Sequence, residues 1–362
     1  MKNFVNQTAK RLLKIASFHW KPYSRLILYG DSAGWVLDWE MRELRSICSK
    51  LGVPVVKSLW KHAYRPQSVF FSNQFFLKKD DWMDLLPHRI GFSYFHGLPN
   101  TGDDDFDRVY RALRKNHEKL ARIQVSHTEM RDAILQIGID PSKVFLIPIG
   151  VNTSFFPFRT VEQKRITRAE LGVPQSAFVI GSFQKDGIGW GDGFEPKLIK
   201  GPDVFLSTIK LLKRDIPELY VLLSGPARGY VKKGLDELQV PYKHVFLKSY
   251  PDIAKMFYAL DVYLVASRQE GGPKAILESM ASGIPIISTR VGQATDLIRN
   301  GENGWLADVE DIAGLAACVL QVYSSGDSAL TQVLSRGREC AEINSYNAQL
   351  PLWASFMKGF VE

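Results

Sequence analysis

The sequence predicts an α/β protein built from two doubly wound parallel sheets in tandem, and three observations carry that expectation. Apolar runs of strand length alternate with amphipathic runs of helix length over residues 25–305. The rhythm breaks once, at Pro148-Ile149-Gly150-Val151-Asn152 followed by Phe155, Phe156 and Pro157, and then restarts. At 362 residues, 45% hydrophobic and 23% charged, the chain is long enough for two cores and too apolar for a disordered one.

In the first series, strands are expected at 26–29, 54–56, 69–71, 90–94, 123–125 and 144–147, with helices over 35–51, 104–120 and 128–137. These make a first domain of residues 1–152. The second series, with strands at 178–181, 220–223, 245–247, 262–265 and 285–287, makes a second domain of residues 153–344. In the last stretch, 345–362, Leu350, Trp353, Phe356 and Phe360 fall near helical spacing, so a helix there is expected to pack back on the first domain. Residues 185–200, with Gly187, Gly189, Gly191 and Gly193 around Trp190, form a long insertion expected to be flexible and a candidate lid.

A formal charge of +8 favours acidic partners such as nucleotide phosphates or an anionic membrane surface. No nucleic-acid motif accompanies the charge, so nucleic acid is not an expected partner. Residues 1–30 carry Lys2, Lys10, Arg11, Lys14, Lys21 and Arg25 and no acidic residue, which leaves three readings open: a solvated helix, a membrane-surface helix or a targeting segment. Cys48, Cys318 and Cys340 show no CxxC spacing and are odd in number, so neither a zinc site nor a disulfide framework is indicated. No apolar run is long enough to span a bilayer. A cytoplasmic protein, soluble or peripheral on the membrane, is expected.

The chemistry concentrates in residues 266–283. A strand ends near Ser267, a turn Glu270-Gly271-Gly272 follows, and a helix is expected to start with Pro273 at its first position and stop before Gly283. Such a helix start presents N–H groups and positive dipole character to a ligand phosphate. Pro273 has no N–H, so Gly271, Gly272 and Lys274 would supply the donors. Glu270 lies before the helix and Glu278 inside it, so the two are spread along a ligand rather than paired like hydrolase carboxylates. Taken alone, each glutamate also reads as a dipole partner or a solvated helix residue.

Glu270 and Glu278, followed by Met280-Ala281-Ser282-Gly283-Ile284-Pro285-Ile286-Ile287-Ser288-Thr289 and then Gly292, Asp296, Asn300-Gly301, Asn303-Gly304 and Trp305-Leu306, resemble the signature of the family four retaining glycosyltransferases. The resemblance implies a GT-B fold and transfer of a sugar from a nucleoside diphosphate sugar to a carbohydrate or glycolipid acceptor, in polysaccharide, lipopolysaccharide or glycolipid synthesis. It implies retained anomeric configuration, no metal and no cofactor beyond the nucleotide-sugar co-substrate. The resemblance further implies sugar contacts for Glu270, Gly271 and Gly272 and a ribose contact for Glu278.

Two positions depart from the family pattern. Gly272-Pro273 stands where an aromatic residue and glycine are common, and Lys274 stands where an apolar residue is common, so Lys274 is expected to meet an acidic sugar or a phosphate. For the leaving group, Lys200 in Lys200-Gly201-Pro202 matches the family lysine, and Lys185 is the candidate for the cation after the first strand of the second domain.

In the first domain, His96 ends the run Gly91-Phe92-Ser93-Tyr94-Phe95-His96-Gly97, where the resemblance implies a contact with the transferred sugar, and Gly34 of Gly30-Asp31-Ser32-Ala33-Gly34-Trp35 is carried over as a donor contact. His96, Lys200 and Glu270 are thus the expected catalytic residues. Asp103-Asp104-Asp105 reads as a helix start rather than a metal cluster. Trp35, Trp39, Trp60, Tyr64 and Trp82 suit either an acceptor surface or an aromatic core. Rival readings are a phosphorylase or nucleotide-sugar epimerase on the same fold, and a non-catalytic sugar-binding or nucleic-acid-binding protein.

Overall fold

Strands buried on both faces read as unbroken apolar runs, and Phe178–Ser182 and Leu219–Ser224 are such runs with every residue buried. The computed structural model describes residues 21–30, 36–56, 66–79, 83 and 87–362. The basic segment ahead of residue 21 lies outside the described residues, as do Gly34, Trp35, Trp60, Tyr64 and Trp82. The chain divides into two units, one of Met1–Val125, Met130–Ile147 and Leu350–Glu362, the other of Ser126–Glu129 and Pro148–Gln349.

The first unit holds a parallel sheet of β1 (Leu26–Tyr29), β2 (Val55–Val56), β3 (Ser68–Phe71), β4 (Arg89–Ser93), β5 (Leu120–Val125) and β6 (Val144–Leu146), in the order β2-β1-β3-β4-β5-β6. Its core gathers Ile27, Val69, Phe92, Tyr94, Val109 and Ile123. The helix expected over 104–120 ends at Asn116, a 3-10 turn His117–Lys119 follows, and β5 already begins at buried Leu120. Asp103 caps that helix by accepting from Asp105 N at 2.9 Å, which answers the aspartate run with a local structural role.

The terminal helix, Leu350–Met357, belongs to the first unit. Phe356 packs edge-on to Phe70, Phe145 and Phe360 at centroid distances of 5.6, 5.1 and 5.6 Å. Arg122 clamps the chain beyond it, donating to Phe356 O at 3.2 Å and Lys358 O at 3.0 Å.

The second unit holds β7 (Phe178–Ser182), β8 (Leu219–Ser224), β9 (Tyr242–Val245), β10 (Val262–Val265), β11 (Ile286–Thr289) and β12 (Trp305–Ala307), all parallel, in the order β12-β11-β10-β7-β8-β9. The strand expected at 245–247 is instead Tyr242–Val245: Phe246 has left the sheet and is 62% exposed. Helices of this unit include Val161–Leu171, Ile312–Ser324 and Asp327–Ile343.

Truncating the C-terminal anchor tests the first unit. Phe356→Ala is expected to destabilise it by about 3–5 kcal/mol, read as a lower first transition in thermal unfolding.

Candidate functional site

The strand order of the second sheet reverses between β7 and β10, and ligands of such sheets bind outside the strand ends at that point. Two loops leave the sheet there. The loop after β7 runs to a 3-10 turn, Leu198–Lys200, and the loop after β10 carries Ser267 to Pro273.

Local geometry forces these loops together. Gly201 takes φ +61°, and a Cβ there would stand 1.9 Å from Ala266 O, so only glycine lets the chain pass so close to the end of β10. Pro202 then opens the helix Pro202–Leu212. Ile199 O accepts from Arg268 N at 2.9 Å and Gln269 N at 3.1 Å. Arg268 forks onto Asp203 at 2.8 and 2.7 Å and reaches Glu310 at 2.5 Å. These hydrogen bonds raise the Arg268 pKa and hold Asp203 below the usual carboxylate value.

The stitched loops bring Lys200 to Glu270. Lys200 Nζ lies 2.6 Å from Glu270 Oε2, and Ser267 Oγ donates to Glu270 Oε1 at 2.9 Å. Both carboxylate oxygens are therefore held and the side chain is fixed in one orientation. Lys200 O in turn accepts from Gln184 Nε2 at 3.0 Å.

Gly271 and Gly272 continue the loop over a second turn. Gly292 sits beneath it with φ +51°, and a Cβ there would be 2.5 Å from Glu270 O and 2.6 Å from Gly271 O. Gln293 donates its N–H to Gly271 O at 3.3 Å, while its side-chain amide meets Ile149 N at 3.0 Å and Ile149 O at 3.4 Å. Among the described residues, the N–H groups of Gly271 and Gly272 have no hydrogen-bond partner. Two donors thus stand beside a fixed carboxylate and a lysine.

The helix that follows is Lys274–Ser282, ending at Gly283 in the left-handed region, φ 67°. It starts one residue later than expected, because Pro273 has an extended ψ of 109° and serves as the N-cap. Glu278 is only 4% exposed and accepts from the Tyr250 hydroxyl, so it is not a solvated helix residue. Tyr263, buried nearby, accepts from Phe183 N at 2.9 Å. Its hydroxyl pKa is raised, first by burial and further by the charges of Glu278 and Glu270.

Lys274 corrects an expectation. It is 8% exposed, and its ammonium donates to Tyr346 Oη at 2.7 Å and lies 5.4 Å from the Tyr250 ring centroid. The cation is engaged inside the protein rather than offered to a phosphate or an acidic sugar. Its place in the sequence did not reveal this, because Tyr346 is distant along the chain.

The expected flexible insertion is also corrected. Asp186 is buried against Arg228 at 3.1 Å, Lys197 N donates to Asp186 O at 2.7 Å, and Ile188 N to Glu195 O at 2.9 Å. Gly229 N and Tyr230 N donate back to Asp192 O and Gly193 O at 2.6 and 2.9 Å, so the arm is pinned at its base and along its side. Burial raises the Asp186 pKa and lowers that of Arg228, each opposed by the partner's charge. Lys185 rides on this arm with its ammonium 4.0 Å over the Trp190 ring, and burial lowers its pKa.

Arg228, missed in the sequence, also donates to Ser182 O at 2.8 Å and Gln184 O at 2.6 Å. Its signal lay in Gly225-Pro226-Ala227-Arg228, where Gly225 and Ala227 both take positive φ, 90° and 53°.

Residues 126–129 belong to the second unit although their sequence neighbours belong to the first. Ser126 Oγ donates to Gly271 O at 2.7 Å and lies 2.9 Å from His127 Nδ1, while Asp296 Oδ2 accepts from Thr128 N at 2.7 Å and Thr128 Oγ1 at 3.0 Å. Serine, histidine and aspartate here do not form a nucleophilic triad: Ser126 is fully buried and its hydroxyl donates to a backbone carbonyl rather than to the histidine. In the first unit, His96 lies just past β4, its N–H bonded to Gln74 Oε1 at 2.9 Å and its ring stacked on Phe75 at 5.3 Å.

Residues 194–336 match the family model described as glycosyl transferases group 1. The chain is 26% identical over 257 residues to a D-inositol 3-phosphate glycosyltransferase of Corynebacterium urealyticum, covering 67% of this chain and 56% of that protein. It is 32% identical over 121 residues to the lipopolysaccharide core biosynthesis glycosyltransferase LpsE of Rhizobium meliloti, covering 33% of this chain and 35% of that one. The chain thus spans about half or less of the length of these curated relatives. The crystal structure of Anabaena Alr3699/HepE in complex with UDP-glucose superposes with a TM-score of 0.73 at 15% identity, over 92% of this chain and 99% of that one. The fold is GT-B.

His127 gives the site a pH signature. Burial lowers its pKa from 6.5 to about 4, against smaller raising effects of the Asp296 charge and the Gly271 carbonyl. As pH falls from 6.5 towards 4, the unfolded chain takes a proton that the folded imidazole refuses, so stability is lost in that window at up to about 1.4 kcal/mol per pH unit. His88 and His244 are depressed in the same direction. Urea unfolding at pH 7 and pH 5 is therefore expected to show a smaller acid loss for His127→Asn than for the wild type.

Proposed function

We propose that this chain, whose residues 194–336 match the glycosyl transferases group 1 model and whose fold is GT-B, moves a glycosyl group from a nucleoside diphosphate sugar to a hydroxyl of a carbohydrate or glycolipid acceptor. The observation that carries the reading is the Lys200–Glu270 pair, 2.6 Å apart beside the Gly271 and Gly272 N–H groups at the reversal point of the second sheet.

Breaking a sugar–phosphate bond leaves negative charge on the nucleotide, and a fixed ammonium stabilises that charge without reorganising, while the Gly271 and Gly272 N–H groups donate to the transferred sugar. Lys200 supplies the ammonium. Glu270, already held in one orientation, accepts from sugar hydroxyls as a charged acceptor. Glu278 does the same for the ribose, with Tyr250 exchanged for the ligand's hydroxyl. A group so arranged orients and stabilises rather than acting as a general base, which supports transfer with retention, the leaving phosphate taking the acceptor's proton.

HepE was crystallised with UDP-glucose, so uridine diphosphate sugars head the donor search. For His96 the proposed sugar contact rests on the resemblance alone. We further propose that the reaction needs no metal or cofactor, that the acceptor belongs to polysaccharide, lipopolysaccharide or glycolipid synthesis, and that the protein works in the cytoplasm, soluble or peripheral on an anionic membrane surface. Among the described residues no helix is long and apolar enough to cross a membrane.

A thermal-shift screen of UDP, GDP, ADP and their glucose conjugates is expected to find one nucleotide family that stabilises the protein, and EDTA should leave turnover unchanged. Lys200→Met is expected to lower kcat by about 100-fold or more, and Glu270→Ala to abolish turnover. Donor consumed in the absence of acceptor, with an isomeric nucleotide sugar as product, would reassign the protein as an epimerase.

A further inference from the structure

We propose that Ser126, seated by His127, is a positioning residue for the loop Glu270-Gly271-Gly272: it holds the Gly271 carbonyl inside the protein and so aims the Gly272 N–H at the ligand. The inference rests on the reading of this loop as the donor site.

The argument begins with the peptide bond. A trans peptide is planar, with its C=O and N–H pointing in opposite directions, and among the described residues no bond is cis. Whatever binds Gly271 O therefore decides where Gly272 N–H points. Gly271 O accepts from Ser126 Oγ at 2.7 Å and from Gln293 N at 3.3 Å, both from the protein side. The Gly272 N–H is thereby turned away from these donors. It is also the last N–H before the helix start, because Pro273 carries none.

The lock is needed because of the residues it holds. Two consecutive glycines let a peptide flip at little steric cost, so the loop's own backbone does not choose between N–H out and C=O out. A flipped peptide would present a carbonyl oxygen where the proposed site needs a donor. The Gln293 contact, at 3.3 Å, is the longer of the two, which leaves Ser126 as the main restraint.

His127 fixes the direction of the serine's proton. Ser126 Oγ faces two groups, Gly271 O at 2.7 Å and His127 Nδ1 at 2.9 Å, and has one proton. With Nδ1 unprotonated, one of these contacts would set two lone pairs against each other. With the proton on Nδ1, His127 donates to Oγ and Oγ donates to Gly271 O, so both contacts are made. Ser126 and His127 are both buried, and water does not compete for either bond.

The test compares the wild type with Ser126→Ala and with Ser126→Cys, a near-isosteric variant with a weaker donor. Crystal structures report the orientation of the 271–272 peptide. Binding of UDP, GDP and ADP, and turnover of their glucose conjugates, separate the nucleotide from the transferred sugar. In Ser126→Ala the peptide is expected to flip or to occupy both orientations, with kcat/KM for the donor down by about tenfold or more and the Kd for the nucleoside diphosphate within about twofold of wild type. Ser126→Cys should fall between, and it carries the test if the alanine variant does not fold. An unflipped peptide with wild-type kcat/KM overturns the inference. So does a parallel loss of nucleoside diphosphate and donor binding, which would mean general loosening of the loop. If the wild type turns over none of the conjugates, the donor-site reading fails, while the peptide orientation in the variants still decides whether Ser126 is the lock.

Discussion

The arrangement of the strand ends in the second unit depends on one close approach, the passage of Gly201 against the carbonyl of Ala266. That contact admits no side chain, and it sets the turn after β7 directly against the loop after β10. Everything at the strand ends is registered to it: Ile199 O collects two N–H groups of the neighbouring loop, Arg268 binds Asp203 in the first helical turn, and Lys200 meets Glu270. A lysine and a glutamate 70 residues apart in sequence thereby become a fixed pair. Such a pair costs desolvation, and it persists because each carboxylate oxygen has its own donor.

The same economy governs the loop beyond Glu270. A run of Glu-Gly-Gly-Pro cannot hold its own shape, since glycine restricts nothing and proline removes a donor. Its conformation is imposed from outside by Gly292 and Gln293 beneath it and by Ser126 at its side. Polar groups that would be expensive to bury alone are buried here in connected sets, Ser126 with His127 and Gly271, and Glu278 with Tyr250. The shape of the loop is therefore set by its surroundings, and among the described residues the Gly271 and Gly272 N–H groups are left without a partner.

The insertion after β7 shows how composition alone misleads. Four glycines in sixteen residues suggest a mobile lid, yet the arm is tied down by Asp186 and Arg228 at its root and by backbone bonds to Gly229 and Tyr230 along its length. Glycine there serves contact rather than motion, because a Cβ at Gly193 would lie 2.2 Å from Ala227 O. Removing one partner of a buried ion pair leaves the other charge without compensation, which is why such a pin is strong evidence of a fixed arm even where it adds little net stability.

By itself the sequence determined the fold class and nearly every strand, and it marked residues 266–283 as the candidate site, because these follow from local signals: apolar runs, glycine and proline at turns, and the Glu270 to Glu278 spacing with the residues after it. It could not place the strand ending at Val245, since Phe246 and Leu247 continue the apolar run and only packing decides where the sheet stops. Nor could it assign Lys274, which looks like a cation waiting for a phosphate until the Tyr346 hydroxyl is seen to accept its hydrogen bond. Ser126 and Tyr250 were equally illegible, each acting on a group far from it in the chain. Periodicity and turn chemistry are written in neighbouring residues, whereas the partner of a buried polar group is chosen by the fold, and that choice decided which of these side chains hold the loop 270–272 and which are held elsewhere.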